Sequence, residues 1–250
     1  MSDTSVTSDP GSDRSPLRFT RILLKLSGEA LGDGERQFAH ERLAGLAQAL
    51  HGVVQDGVQV AVVVGGGNIF RARSANLEVV DRVTADHVGM LATVMNAAIL
   101  KDYLRAEGLP ARVFTPREQP PIGQLFTRET ALPLLQAGHV LIFAGGTGNP
   151  FFTTDSAAAL RALEIGADVL VKGTQVDGVY DRDPRRHPDA RRYDRLTYDE
   201  AVQRRLGVMD LTAITLCAER SLPILVFDIR QPDNLHRLLA GEPLGTWIEP

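Results

Sequence analysis

Lys25 stands near the end of an apolar run, residues 21–26, where an ammonium group is costly to bury unless an anion meets it. A phosphate would supply that anion, and the following Ser27 and Gly28 suit a loop that wraps one. A lysine on an edge strand that snorkels to water is the plainer alternative. Farther on, the triple glycine Gly65, Gly66, Gly67 is followed by Arg71, whose planar fork fits a phosphate. Asp155 comes after Thr153 and Thr154 and opens an Ala-rich helical stretch. It reads as an acid that complements a helix dipole, and equally as a carboxylate placed beside phosphates to orient Lys25.

These residues share a setting. Four apolar runs end alike, at Lys25-Leu26-Ser27-Gly28, at Gly65-Gly66-Gly67-Asn68, at Gly145-Gly146-Thr147-Gly148-Asn149-Pro150 and at Lys172-Gly173-Thr174. Beyond the carboxyl ends of parallel strands, glycine lets backbone N–H groups approach an oxyanion, and helix N-termini behind it add partial positive charge. A tight strand-to-helix turn would explain any one cluster. Four together point to a phosphate site. The P-loop and dinucleotide fingerprints and the protein-kinase signatures are absent from the chain, which disfavours those enzyme classes.

The elements that must carry these ends alternate. Apolar, β-branched runs at 21–26, 59–64, 111–114, 139–144, 167–171 and 223–228 read as buried parallel strands. Helical spacing of apolar residues marks 41–55, 85–107, 128–136, 155–165, 198–206 and 211–220. The β-α-β-α order predicts an α/β fold, a three-layer αβα sandwich around a mainly parallel open sheet. Residues 72–82 and 115–127 fit neither period and are expected in loops, and the charged, Pro-containing stretch 181–194 in a long exposed one. Asp177, Gly178, Tyr180 and Asp183 lead into it, by default as a turn and alternatively as an adenine or ribose contact.

Composition narrows the classes. The 250 residues carry 27 basic and 31 acidic groups without a basic footprint, so no nucleic-acid partner is expected. Cys217 is the single cysteine, which excludes an internal disulfide and fits a reducing, cytoplasmic setting. The six histidines are too scattered to suggest a metal site. Residues 1–18 are Ser/Asp/Pro-rich and read as a disordered tail, with 19–250 as a single domain and no membrane segment.

The chain resembles the amino acid kinase superfamily and, within it, the bacterial uridylate kinases, from about Arg21 to the C-terminus. The resemblance is carried by residues 21–30 (RILLKLSGEA), 65–71 (GGGNIFR), 86–96 (DHVGMLATVMN), 147–155 (TGNPFFTTD) and 176–184 (VDGVYDRDP). Superfamily members that phosphorylate aspartate, glutamate, acetylglutamate or carbamate resemble it poorly over 147–155, so that segment selects uridylate. The resemblance implies transfer of the γ-phosphoryl group of ATP to UMP, giving UDP and ADP for pyrimidine nucleotide (UTP and CTP) biosynthesis, with Mg²⁺ carried by ATP.

The same resemblance implies residue roles. Lys25 and Asp155 would be catalytic, with Asp155 holding Lys25. Lys25, Leu26, Ser27 and Gly28 would hold ATP, joined by Gly67, Arg71, Thr174, Tyr180 and Asp183. UMP would lie against Gly66 and Asp86, the latter on the ribose hydroxyls, and against Thr147, Gly148, Asn149, Pro150, Phe151, Phe152, Thr153 and Thr154. A homo-oligomer, namely a hexamer, is implied, with GTP as activator and UTP as inhibitor. The chain departs from the pattern at 32–37, where the family often has a longer Gly-rich stretch associated with GTP activation, and at 117–125, where the family builds subunit contacts. Another kinase of the superfamily and a non-catalytic nucleotide sensor are the rival readings.

Overall fold

The computed structural model describes residues 17–71, 78–231 and 233–250. In chain order it contains β1 (Arg21–Leu26), a 3-10 turn (Gly28–Leu31), α1 (His40–Gln55), β2 (Gln59–Val64), α2 (Arg82–Ala106), β3 (Ala111–Thr115) and β4 (Gln124–Leu125). Then follow α3 (Arg128–Gln136), β5 (Val140–Phe143), α4 (Thr154–Ile165), β6 (Val169–Thr174), β7 (Val179–Tyr180), β8 (Arg192–Tyr193), β9 (Arg195–Thr197) and α5 (Tyr198–Gln203). The chain closes with α6 (Leu211–Glu219), β10 (Ile224–Asp228), α7 (Asp233–Leu239) and β11 (Thr246–Glu249).

Nine strands form one sheet in the order β4-β3-β5-β2-β1-β6-β10-β11-β9. Its pairings are parallel except β10 with β11. The central strands are near-continuous aliphatic runs because helices cover both faces. Alternation along them sorts the core into two layers. Ile22, Leu24, Val60 and Val62 pack with Leu43 and Leu50 of α1, Leu100 and Leu104 of α2 and Leu235 of α7. Leu23, Ala61, Val63 and Leu170 face the other way, onto Leu135 of α3, Ala158 and Ala162 of α4 and Ile214 of α6. Each such large aliphatic side chain, fully buried, contributes about 1.5–3 kcal/mol. The three-layer αβα sandwich is the arrangement expected from the sequence.

Helix starts are set by side-chain caps. Asp81, Thr127, Thr153, Thr197 and Asp210 accept backbone N–H groups at the starts of α2, α3, α4, α5 and α6. By length and hydropathy alone α2 would also suit a membrane span. Its Ala97, Leu100 and Leu104 are buried in the core, whereas Val88, Leu91, Met95 and Ile99 form an exposed stripe.

Three expected elements, 21–26, 59–64 and 128–136, agree to the residue, and the others shift by three residues or fewer. The sequence reading passed over the 3-10 turn, β4, β7, β8, β9, α7 and β11. Two placements are corrected. The stretch 115–127 is not all loop, because Gln124 and Leu125 extend the sheet parallel to β3. Arg82, placed in a loop, begins α2, where Asp81 caps the helix. The rest of that expected loop, residues 72–77, lies outside the described residues, as do residues 1–16 of the expected tail. Leu17 packs against the core, and the Arg18 N–H donates to the Leu239 carbonyl at 3.0 Å.

Candidate active site

Strand β1 lies at the centre of the sheet, with β2 on one side and β6 on the other. Its alternation sends Lys25 to the same face as Leu23, toward α4, and Lys25 is 8% exposed. The parallel register sets Lys25 beside Lys172 of β6. Two ammonium groups so placed need an anion between them, and Asp155 supplies it. Lys25 Nζ lies 2.6 Å from Asp155 Oδ1, and Lys172 Nζ donates to Asp155 Oδ2 at 2.8 Å. Lys172 also donates to the Val208 carbonyl. Asp155 Oδ1 thus holds the Lys25 ammonium by one contact, and the remaining donors of that ammonium can turn to an incoming oxyanion.

The electrostatics follow from burial. Burial pushes the Asp155 carboxyl up, but the charges of Lys25 and Lys172 outweigh it and hold the group below the usual carboxylate range. Burial, with the like charge of Lys25, draws Lys172 below the ordinary lysine range although Asp155 opposes this. The centre is a carboxylate gripped by two lysines.

Asp155 is positioned by the start of α4. The Thr153 hydroxyl accepts from the N–H of Asp155 at 3.0 Å and of Ser156 at 3.4 Å. The Ser156 hydroxyl donates to Asp210, at 2.9 Å from Oδ1, as does the Thr153 hydroxyl to Oδ2, and Asp210 in turn caps α6 through the Ala213 N–H. One carboxylate thereby ties together the N-termini of the two helices behind the lysines.

Two clefts flank this centre, one lined by each lysine. The first, of about 410 Å³, is lined by Lys25, Ser27, Gly28, Gly66, Gly67, Arg71, Asp86, Phe152, Thr153 and Thr154. The second, of about 480 Å³, is lined by Lys172, Thr174, Tyr180, Asp183 and the 204–208 turn. Gly66 is closed in from behind by α2, for a Cβ there would stand 2.9 Å from the Gly89 carbonyl.

The segment 145–153 arches over the first cleft. Gly145 and Gly148 have φ of 78° and 79°, and a Cβ on either would meet Pro116 at 2.8 Å, so glycine is required for both reasons. The Gly145 N–H donates to the Thr93 hydroxyl at 2.6 Å. Phe151, also at positive φ (72°), donates its N–H to Asp86 Oδ2 at 2.8 Å, while Arg82 Nε donates to Asp86 Oδ1 at 2.9 Å. Both oxygens of Asp86 are thus engaged, one by the arch and one by its own helix.

Of the residues singled out from sequence, Lys25, Ser27, Gly28, Gly66, Gly67, Arg71, Asp86, Phe152, Thr153 and Thr154 converge on the first cleft, and Thr174, Tyr180 and Asp183 on the second. Thr147, Gly148, Asn149, Pro150 and Phe151 belong to the arch but do not line the cleft. Leu26 is set apart, its side chain in the core and its carbonyl accepting the Gly65 N–H at 2.8 Å. Sequence reasoning gave no site role to Lys172, Asp210, Glu29 or Arg82. For Lys172 a signal was present, a lysine inside an apolar strand as at Lys25. The others look like ordinary surface charges or caps until the fold brings them in.

The sequence model of the amino acid kinase family matches residues 20–228. The chain belongs to the amino acid kinase family. Among members of that family, the chloroplastic uridylate kinase of Arabidopsis thaliana is 48% identical over 240 residues, which cover 95% of this chain and 71% of that protein. The crystal structure of the UMP kinase of Bacillus anthracis superposes with a TM-score of 0.89 at 36% identity, covering 92% of this chain and 96% of that one. For the UMP kinase of Ureaplasma parvum the TM-score is 0.86 at 32% identity, with 94% and 100% covered.

Proposed function

We propose that this chain is a nucleoside monophosphate kinase that transfers the γ-phosphoryl group of ATP to UMP, giving ADP and UDP for pyrimidine nucleotide biosynthesis. The observation that carries the reading is Asp155 bridging Lys25, which lines the first cleft, and Lys172, which lines the second. The likeness to uridylate kinases in sequence and in fold supports UMP as acceptor.

ATP is read into the second cleft, its base and ribose against Thr174, Tyr180 and Asp183 and its phosphates running toward Lys172, Lys25, Gly67 and Arg71. Ser27 and Gly28 border the phosphate end. UMP is read into the first cleft, against Gly66 and residues 147–154, with Asp86 exchanging its contacts to Arg82 and Phe151 for the ribose hydroxyls. Transfer between two phosphates asks for alignment and for cover of the charge on the moving group. Lys25 and Lys172 provide that cover from two sides, and Asp155 keeps both ammonium groups aimed. The acceptor phosphate is already ionised near neutral pH, so no general base is required. Mg²⁺ carried by ATP would neutralise part of the triphosphate charge. It is read as arriving on the ATP phosphates.

Residues 19–250 are taken as one catalytic domain, which the continuous sheet from β4 to β9 supports. Self-association is supported by the exposed stripe Val88, Leu91, Met95 and Ile99 on α2, whose 3- and 4-residue steps make a single apolar face, and its reading as a hexamer rests on the resemblance. Cytoplasmic placement is read from the single cysteine, and control by GTP as activator and UTP as inhibitor from the resemblance, from which the chain departs at 32–37.

The test is an ADP-release assay with Mg-ATP against UMP, CMP, dUMP, aspartate, glutamate and carbamate, with and without GTP. Turnover with UMP alone supports the assignment. Turnover with a carboxylate or carbamate in place of UMP moves the chain to another branch of the family, and nucleotide binding without any turnover makes it a sensor.

A further inference from the structure

The anion cradle of the first cleft already contains an anion. Glu29 follows Ser27 and Gly28 in the 3-10 turn after β1, and its carboxylate pairs with the Arg71 guanidinium. Arg71 Nε meanwhile donates to the Gly67 carbonyl at 3.1 Å, which pins the guanidinium over its own turn. The Glu29 carboxylate lies directly above Gly67, where a Cβ would stand 2.5 Å from Oε1. Bare glycine, guanidinium and the nearby Lys25 are the parts of a phosphate site, and the carboxylate occupies the space among them.

We propose that Glu29 is a placeholder anion that sets nucleotide affinity by competing with the phosphates of ATP for Arg71. The inference rests on the reading of Gly67 and Arg71 as phosphate contacts. Side-chain exposures of 31% for Glu29 and 56% for Arg71 make the pair a weak one in a solvated setting, so a polyphosphate can displace it. A singly or doubly charged ion such as inorganic phosphate competes less well. The pair therefore keeps Arg71 aimed at the cradle in the empty enzyme and discriminates against small anions. Glu29 acts through Arg71 and is a positioning residue.

The test measures the KM for ATP at saturating UMP, the Kd for Mg-ADP by titration calorimetry and the Ki for inorganic phosphate, in the wild type, Glu29→Gln, Glu29→Asp, Arg71→Gln and the double variant E29Q/R71Q. Glu29→Gln should lower the KM for ATP and the Kd for Mg-ADP roughly threefold and tighten phosphate inhibition by at least as much. Glu29→Asp, which retracts the charge, should shift all three the same way by less. Arg71→Gln should raise the Kd about tenfold, and adding Glu29→Gln to it should change nothing further. A Kd that rises or stays unchanged in Glu29→Gln, or an effect that persists without Arg71, overturns the proposal. If Arg71→Gln leaves the Kd unchanged, the phosphate reading of Arg71 falls first and takes the proposal with it.

Discussion

Lys25 and Lys172 are register partners on adjacent parallel strands, and the two oxygens of Asp155 divide them, at 2.6 and 2.8 Å. Like charges so close on one face of a sheet would repel each other in the absence of that carboxylate. The arrangement costs stability until it is completed, and it is completed by the first turn of a helix that the chain reaches some 130 residues after Lys25.

Asp155→Asn keeps the shape and removes the charge. Both lysines then lose their shared counterion, so kcat should fall at least about a hundredfold and stability by about 3 kcal/mol, the typical cost of breaking a buried ion pair. The carboxyl is held below its ordinary value of 3.8, so its contribution is fully present above that value and is lost as pH falls through the lower folded one. Urea midpoints of wild type and variant should differ at pH 6 and draw together toward pH 2. A constant gap would show that the charge of Asp155 is not what stabilises the centre.

Lys172→Met should lower kcat about a hundredfold with a smaller change in the KM for UMP, because charge on the moving phosphoryl group is what the ammonium covers. Since burial draws Lys172 below the ordinary lysine range, the wild-type kcat should decline with rising pH before an unperturbed lysine, at 10.5, would lose its proton. Lys172→Arg should move that alkaline limb upward. An unaltered limb in the arginine variant would assign the titration to another group.

Asp86→Asn should raise the KM for UMP about tenfold or more and leave the KM for ATP within about twofold, as one charge-assisted contact to the ribose is worth roughly 1.5–3 kcal/mol. The same change weakens the hold on the Phe151 N–H, so proteolysis within the arch should accelerate. Equal losses for both substrates would remove Asp86 from the acceptor side.

Cys217 is fully buried, and burial pushes its thiol up to about 12. The folded protein should resist a thiol reagent at pH 8, reacting at under about a hundredth of the rate in denaturant. Rapid labelling of the native state would show that α6 opens readily.

The sheet centre was legible because β1, β2 and β5 are buried on both faces and so are spelled almost wholly in apolar residues. The glycine-rich strand ends located both clefts, because close approach to a ligand and to Pro116 demands the residue type itself. What escaped had no local signature. β4, β7 and β8 are two residues long, and partners supplied by the rest of the fold define them. Glu29 and Arg71 stand 42 positions apart and pair only after β1 and β2 align. The strand end at Lys172 was noticed but its role was not, because that role depends on a neighbour named by register.

That register is also a folding check. The strands β1 and β6 are aliphatic enough to pair in more than one alignment, and a shift by one residue would turn Lys25 or Lys172 into the opposite layer, among Leu24 and Val171. Misaligned pairing would bury a lone cation in hydrocarbon, while correct pairing gives both cations one carboxylate. The three charges therefore act as an error-rejecting code for the middle of the sheet, and a chain that has passed it has assembled its phosphate-binding centre by the same event.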